Sequence, residues 1–178
     1  MRSRLRSIDM RKALFVLPNL FTLSSVLCSF YAMSLLTKEG IDGRGFLAAS
    51  CAIMFAMFFD AADGRVARLT KTQSDFGVQL DSLADLVSFG VAPALLVYRW
   101  SLYHLGDLGF LFAFVFVAAG ACRLARFNVL VARGIDSSRD FVGLAIPLAA
   151  FCLIAGVIAG VKVGSDPELV APYLSGFT

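Results

Sequence analysis

Five long apolar runs constrain the fold of this 178-residue chain more than any other feature. They occupy approximately residues 18–36, 46–59, 78–98, 108–127 and 144–163. A membrane-spanning α-helix needs roughly 20 mainly apolar residues, and only helices and closed barrels satisfy their backbone polar groups inside lipid. The second run is short, and a helix that continues through residues 60–69 would carry its polar end out of the span. The sequence therefore predicts an all-α integral membrane protein with five complete transmembrane helices.

The two ends of the chain carry weaker signals. Residues 1–13 combine five basic side chains with interspersed apolar ones, which predicts an amphipathic helix lying at the membrane interface. Residues 169–178 begin another apolar run, but ten residues cannot span a bilayer. We expect residues 1–178 to form a single membrane domain, a bundle of about six helices of which five are complete here.

Basic residues are distributed unevenly between the loops. If the five runs cross the membrane in alternation, twelve of the 16 Lys and Arg residues fall on the side of the N-terminus, and four fall on the other side. Loops rich in Lys and Arg stay in the cytosol, so the N-terminus and the loop after the second run are predicted to be cytosolic. Because the basic residues lie in separate short loops, nucleic-acid binding is not expected.

Four aspartates lie in or beside the second and third runs: Asp60, Asp63, Asp81 and Asp85. A charge at the bilayer centre costs roughly 2.5–3.5 kcal/mol on insertion scales, so four such charges would cost on the order of 10 kcal/mol. A cation must compensate them, and a polyvalent metal ion is the natural candidate. A structural cluster of salt bridges with neighbouring arginines is the alternative.

The spacing of these aspartates fits a metal site. Asp60 and Asp63 are three residues apart, and Asp81 and Asp85 are four apart, so each pair shares one helical face. Two helices that each offer two carboxylates make an oxygen-rich site of the kind that Mg²⁺ or Mn²⁺ prefers. Two ions roughly 3.5–4 Å apart could bridge such a set and clamp a phosphoryl group.

Small and basic residues accompany the carboxylates. Gly64, Ala67 and Gly77 either let a bulky polar ligand approach the backbone or let two helices pack closely. Arg68 can pair with the carboxylates or with phosphate oxygens.

The complete pattern is D-x2-D-G-x2-A-R-x8-G-x3-D-x3-D, beginning at Asp60. It resembles the signature of the CDP-alcohol phosphatidyltransferases at every position. The resemblance implies a six-helix membrane core, ligation of divalent metal by all four aspartates, and a CDP-linked lipid donor. It also implies that Asp85 is the catalytic base and that Gly64, Arg68 and Gly77 help to hold the cytidine diphosphate.

Further stretches resemble the phosphatidylserine synthases of this superfamily. They are PNLFT at 18–22, DSLADLVSFGVAP at 81–93, RLARFN at 123–128 and FVGLAIP at 141–147. This resemblance implies CDP-diacylglycerol and L-serine as substrates, in the cytoplasmic membrane of a prokaryote. A homodimer is plausible from the resemblance alone. In such a reaction the serine hydroxyl attacks phosphorus directly and CMP leaves.

Two further groups are candidates for substrate binding. Asn19 and Thr22 share a helical face near the cytosolic end of the first span, where they could contact the cytidine or its phosphates, or cap and pack the helix start. Arg123, Arg126 and Asn128 lie at the cytosolic end of the fourth span. They could bind the serine carboxylate, for which Arg is well suited, or simply anchor the helix on the cytosolic side.

Two alternative functions stay open at this stage. One is a sister transferase with another acceptor, such as glycerol 3-phosphate or inositol phosphate, which should need more basic residues around the fourth and fifth spans. The other is a divalent-cation transporter, which needs acidic groups toward both membrane faces. The four aspartates instead collect toward one face.

The charge asymmetry gives a direct test of topology. A cysteine introduced by Lys71→Cys should react with a membrane-impermeant maleimide only from the cytosolic side, because the basic loop is retained there. Labelling from the outer side of intact cells would contradict this orientation.

Overall fold

A computed structural model describes residues 10–70, 74–133 and 144–164. In these ranges the chain forms six α-helices: Met10–Leu36 (α1), Gly43–Thr70 (α2), Asp75–Asp85 (α3), Ala92–Trp100 (α4), Asp107–Ala132 (α5) and Ile146–Val163 (α6). A π-helical turn, Leu86–Val91, joins α3 to α4. A short 3-10 helix, Leu102–Leu105, lies between α4 and α5.

The helices confirm the predicted membrane architecture. Within the described residues, five stretches are long and apolar enough to cross a membrane: Asn19–Leu36, Gly43–Val66, Phe76–Trp100, Asp107–Ala132 and Ile146–Val163. The predicted extension of the second run is correct, since α2 continues through residues 60–69. Most of the predicted interfacial helix lies outside the described residues, and its last four residues belong to α1. The apolar run at 169–178 also lies outside them.

Helix α1 is the element against which the bundle is assembled. It packs along the length of α2, and it also contacts α3, the π turn and α4. At its C-terminal end, Arg99 of α4 donates from Nε to the carbonyl oxygen of Leu36 at 3.0 Å. This bond satisfies one of the carbonyls that a helix end leaves without an internal partner. Helix α1 therefore fixes the positions of the second and third spans relative to each other.

The larger apolar core lies in the half of the bundle where α1 ends and α2 begins. Its fully buried members come from four α-helices and the 3-10 helix, and they include Leu36, Ile53, Leu96, Val97, Leu102 and Val157. Helix α5 is anchored to this half through its first turn, because Gly109 packs directly against the backbone of Leu102. The opposite half holds a smaller apolar cluster around Phe89 and Ala150, together with the aspartates.

The single helix predicted for the third span is interrupted by a π turn between α3 and α4. In the π turn, the backbone N–H of Ala92 donates to the carbonyl oxygen of Val87, five residues earlier. Pro93 follows at once, and proline has no N–H and clashes with the carbonyl four residues before it in an α-helix. Gly90 is buried inside the turn, where an added Cβ would lie 3.1 Å from Leu86 Cδ1. Gly90 and Pro93 are thus the local reasons for the wider turn.

Helix α3 has a well-defined start. Ser74 has extended backbone angles and its Oγ accepts a hydrogen bond of 3.0 Å from the N–H of Gly77. A serine at this position satisfies an otherwise unpaired N–H of the first turn. The cap fixes where α3 begins, and hence the height at which Asp81 and Asp85 enter the bundle.

The contact of Gly109 predicts a stability effect. Gly109→Ala should destabilise the bundle by about 1–3 kcal/mol, because the new methyl group would overlap the Leu102 carbonyl. The measurement is the thermal unfolding midpoint of the purified protein in detergent. Gly120→Ala, on the same helix, is the matched control, since its Cβ would meet Ile146 Cδ1 at an ordinary 3.6 Å. Equal midpoints for the two variants would contradict the proposed packing.

Candidate metal centre

Three aspartates from two helices converge at one end of the bundle. Asp60 and Asp63 of α2 and Asp81 of α3 each place a carboxylate oxygen within 4.8 Å of the other two. For comparison, opposite ligands of an octahedral ion bound at about 2.0–2.1 Å stand about 4 Å apart. The helical spacing had predicted that each pair shares a face, and the structure shows that the two faces meet.

Asp85 lies beside this group rather than in it. Its carboxyl group is within hydrogen-bond distance of that of Asp60. Its other oxygen, Oδ1, is buried and has no hydrogen-bond partner. The resemblance implied that all four aspartates ligate metal together. In the structure three of these carboxylates lie within ligating distance of one another, and the fourth touches Asp60.

Asp63 is held in place from two directions. Thr22 of α1 donates from Oγ1 to Asp63 Oδ2 at 2.7 Å, and both side chains are only 4% exposed. The backbone N–H of Gly64 also donates to the Asp63 carboxylate. Partners of this kind orient a metal ligand and raise its affinity for the ion. From the sequence, Thr22 was predicted to contact the cytidine or its phosphates, or to cap and pack the start of the helix. Its contact with Asp63 was not predicted.

Asn19 and Gly77, both candidates for nucleotide contact, are neighbours in the structure. Asn19 Oδ1 lies 3.5 Å from the position that a Cβ on Gly77 would occupy. A side chain at position 77 would therefore narrow the space between α1 and α3. The backbone of Ala67 and Arg68 belongs to α2. Their side chains lie outside the described part of the structure.

The predicted serine-binding residues are only partly brought to the site. Asn128 of α5 donates from Nδ2 to Ser82 Oγ at 3.0 Å, next to Asp81 in the chain. Arg123 is half-buried on α5, whereas Arg126 is exposed. Ser82 was not singled out from the sequence. Its pairing with Asn128 shows that α5 reaches the carboxylate end of α3.

The donor set fits a divalent cation. The aspartates of this group act on one another as like charges: Asp60 and Asp63 act on Asp81, and all three act on Asp85. Carboxylates at hydrogen-bond distance repel unless a proton or a cation lies between them. Carboxylate oxygens are the hard donors that Mg²⁺ and Mn²⁺ prefer. The aspartate cluster could therefore hold such an ion, with Asp60, Asp63 and Asp81 as its protein ligands.

The fold and the site define a class: helical integral membrane proteins with a cluster of carboxylates that could hold a divalent cation. The sequence model of the CDP-alcohol phosphatidyltransferase family matches residues 15–171, which is most of the chain and includes the whole aspartate motif. The chain belongs to this family. No solved structure matches it.

Curated relatives narrow the comparison. A CDP-diacylglycerol–serine O-phosphatidyltransferase of Helicobacter pylori J99 is 40% identical over 149 residues, covering 82% of this chain and 58% of the relative. The Bacillus subtilis enzyme of the same name is 37% identical over 140 residues, covering 78% and 73%. An archaetidylserine synthase of Methanothermobacter thermautotrophicus is 37% identical over 147 residues, covering 81% and 58%. The chain thus spans about three fifths of the length of the Helicobacter relative.

The geometry predicts cation binding that can be measured without substrate. Purified protein should bind Mn²⁺, seen by electron paramagnetic resonance, and EDTA should remove it. Asp60→Asn, Asp63→Asn and Asp81→Asn should each nearly abolish Mn²⁺ binding, because each aspartate supplies one oxygen of the group. Thr22→Val should weaken binding by about 10–100-fold, the usual effect of losing an orienting partner.

Asp107→Asn is the matched control for the loss of one carboxylate. Asp107 is exposed in the first turn of α5, at the end away from Asn128, so this variant should bind Mn²⁺ like the parent. Mn²⁺ binding that survives Asp63→Asn unchanged would rule out the proposed ligand set.

Proposed function

We propose that this protein transfers the phosphatidyl group of CDP-diacylglycerol to the hydroxyl of L-serine and releases CMP. The observation that carries the proposal is the meeting of Asp60, Asp63 and Asp81, with Asp85 against Asp60, in a chain that matches the family along most of its length. The choice of serine is supported by the names of the Helicobacter and Bacillus relatives. The archaeal relative supports serine as acceptor and leaves the lipid chains open.

The cofactor in this proposal is Mg²⁺ or Mn²⁺, with one or two ions held by Asp60, Asp63 and Asp81, and with Asp85 completing the set. When bound, the ions supply charge that polarises the phosphoryl oxygens and stabilises the departing phosphate. Thr22 and the Gly64 N–H keep the Asp63 carboxylate turned toward this group.

Asp85 is the proposed general base. Its Oδ1 is buried and makes no hydrogen bond, so it can accept the proton of an incoming hydroxyl. The bond from serine oxygen to phosphorus forms, the bond from that phosphorus to the CMP oxygen breaks, and the hydroxyl proton moves to Asp85. The motif supplies no protein nucleophile, so the transfer is direct.

The donor lies, in this proposal, over the cytosolic ends of α1, α2 and α3. Asn19 and Gly77 face each other there. Gly64, Ala67 and Gly77 are proposed to let the cytidine diphosphate approach the backbone, since small residues leave space for a bulky ligand. Arg68 is proposed to pair with a phosphate oxygen. Thr22 acts through Asp63.

The acceptor pocket is proposed to lie between α3 and α5. Asn128 is hydrogen-bonded to Ser82, which is next to Asp81 in the chain. This bond brings α5 to the end of the bundle where the aspartates lie. Arg123 and Arg126 are then the candidates for the serine carboxylate.

The cellular setting is part of the same proposal. The five apolar spans support an integral protein of a prokaryotic cytoplasmic membrane, and the basic loops support a site that faces the cytosol. A homodimer is proposed from the family resemblance alone. A cation transporter is less well supported, since the described carboxylate group lies at one end of the bundle.

The decisive experiment is CMP release from CDP-diacylglycerol by the purified protein with each candidate acceptor. L-serine should support release, whereas glycerol 3-phosphate and inositol phosphate should not. Release with another alcohol and none with serine would assign the chain to a sister branch. Mn²⁺ flux into proteoliposomes without CMP release would favour the transporter.

The serine pocket makes a prediction about kinetic constants. Arg123→Ala or Arg126→Ala should raise the KM for serine by about 10–100-fold and change the KM for CDP-diacylglycerol little, because a carboxylate partner serves only the acceptor. Arg133→Ala is the control, since this exposed arginine follows α5 and was not assigned to the pocket. Equal effects on both substrates would indicate a structural or donor-binding role.

A further inference from the structure

The π turn begins at the residue that follows Asp85. Asp85 ends α3, and Leu86 opens the turn. The direction in which the Asp85 carboxylate points therefore depends on how the chain leaves α3. If the turn closed to an ordinary α-helix, the residues on its two sides would rotate relative to each other. The contact between Asp85 and Asp60 would then be lost or altered.

A π turn needs support from its surroundings, because its hydrogen bonds are less favourable than those of an α-helix and such turns are rare. Pro93 favours the wider turn but cannot donate a bond to hold it. Helices α2, α5 and α6 pack against the turn, and α1 both packs against it and supplies a side-chain hydrogen bond. Ser25 donates from Oγ to Ser88 Oγ at 3.3 Å, and Ser88 lies in the middle of the turn.

This hydrogen bond is shielded from lipid and water. Ser25 is 2% exposed and Ser88 is 0% exposed. Hydrogen bonds between buried groups are stronger than exposed ones, and the loss of one partner leaves the other unsatisfied. Ser25 also lies one helical turn beyond Thr22, whose hydroxyl orients Asp63. The same face of α1 thus contacts both helices that carry the aspartates.

We propose that Ser25 and Ser88 are positioning residues: their hydrogen bond holds the π turn against α1 and so keeps Asp85 in contact with Asp60. Neither serine is assigned a contact with substrate or metal. The expected loss of kcat rests on the proposed function. The position of Asp85 relative to Asp60 can be tested without any catalysis. Two experiments separate these parts.

The kinetic experiment measures CMP release by Ser25→Ala, Ser88→Ala and the double variant, normalised to folded protein. Either single change should lower kcat by about 10–100-fold through misplacement of Asp85, with both substrate KM values within about twofold of the parent. The double variant should be no slower than the slower single one, because the two hydroxyls act as one unit.

Ser29→Ala is the matched control. Ser29 is also fully buried on α1, but its hydroxyl has no hydrogen-bond partner, so its removal should leave kcat unchanged. A purely structural pair would lower the unfolding midpoint and leave kcat per folded molecule intact, which would overturn the proposal. A rise in the serine KM alone would overturn it too, since it would make Ser88 an acceptor contact.

The geometric experiment needs no activity. Asp60→Cys and Asp85→Cys are combined, and oxidation with copper phenanthroline is followed on gels. The four native cysteines are first replaced by alanine: Cys28, Cys51, Cys122 and Cys152. Adding Ser88→Ala should slow cross-linking by about tenfold, because a disulfide requires a narrow range of Cβ separations, whereas adding Ser29→Ala should not.

An unchanged cross-linking rate with Ser88→Ala would refute the positioning role whatever the enzyme does. If instead the parent protein releases no CMP with any alcohol, the proposed function fails, and slower cross-linking with Ser88→Ala still supports the positioning of Asp85.

Discussion

The burial of several like-charged carboxylates in a bundle surrounded by lipid is the constraint on which the rest of this structure depends. Asp63 is almost fully buried, and Asp60, Asp81 and Asp85 are half-buried. Each would be costly alone in a membrane, and together they repel. A divalent cation would relieve both the cost of burying these charges and their mutual repulsion, and the cluster could hold one. Helices α2 and α3 bring the aspartates together at this end of the bundle, and α1 donates a hydrogen bond to Asp63 there.

Helix α1 contributes no carboxylate, yet it organises the site. Three of its polar residues follow one another at intervals of three positions: Asn19, Thr22 and Ser25. Asn19 borders Gly77, Thr22 bonds Asp63, and Ser25 bonds Ser88. A single helical face therefore contacts the second span once and the third span twice. The opposite half of the bundle supplies apolar packing around Leu96 and Val97, which gives the polar half a rigid frame.

The larger apolar core and the aspartate group occupy different halves of the bundle, so the packing that stabilises the fold does not depend on the polar residues of the site. The larger core and the close approach of α5 to Leu102 lie far from the aspartates along the bundle. Changes in the polar half are thus expected to affect chemistry more than folding. The smaller cluster around Phe89 and Ala150 lies in the half that holds the aspartates, and Phe89 belongs to the π turn itself.

The sequence by itself determined the five spans, the continuation of α2 through residues 60–69 and the spacing of the four aspartates, because hydrophobic length and helical spacing are local properties. It did not reveal the π turn, although Gly90 and Pro93 mark it, since many helices accommodate both residues without widening. Only the tertiary structure decided that Asp85 sits beside the group of three, that Thr22 serves Asp63, and that Ser25 meets Ser88. These contacts join residues 41 and 63 positions apart in the chain. Their partners are chosen by how the helices pack and rotate, which no local pattern specifies.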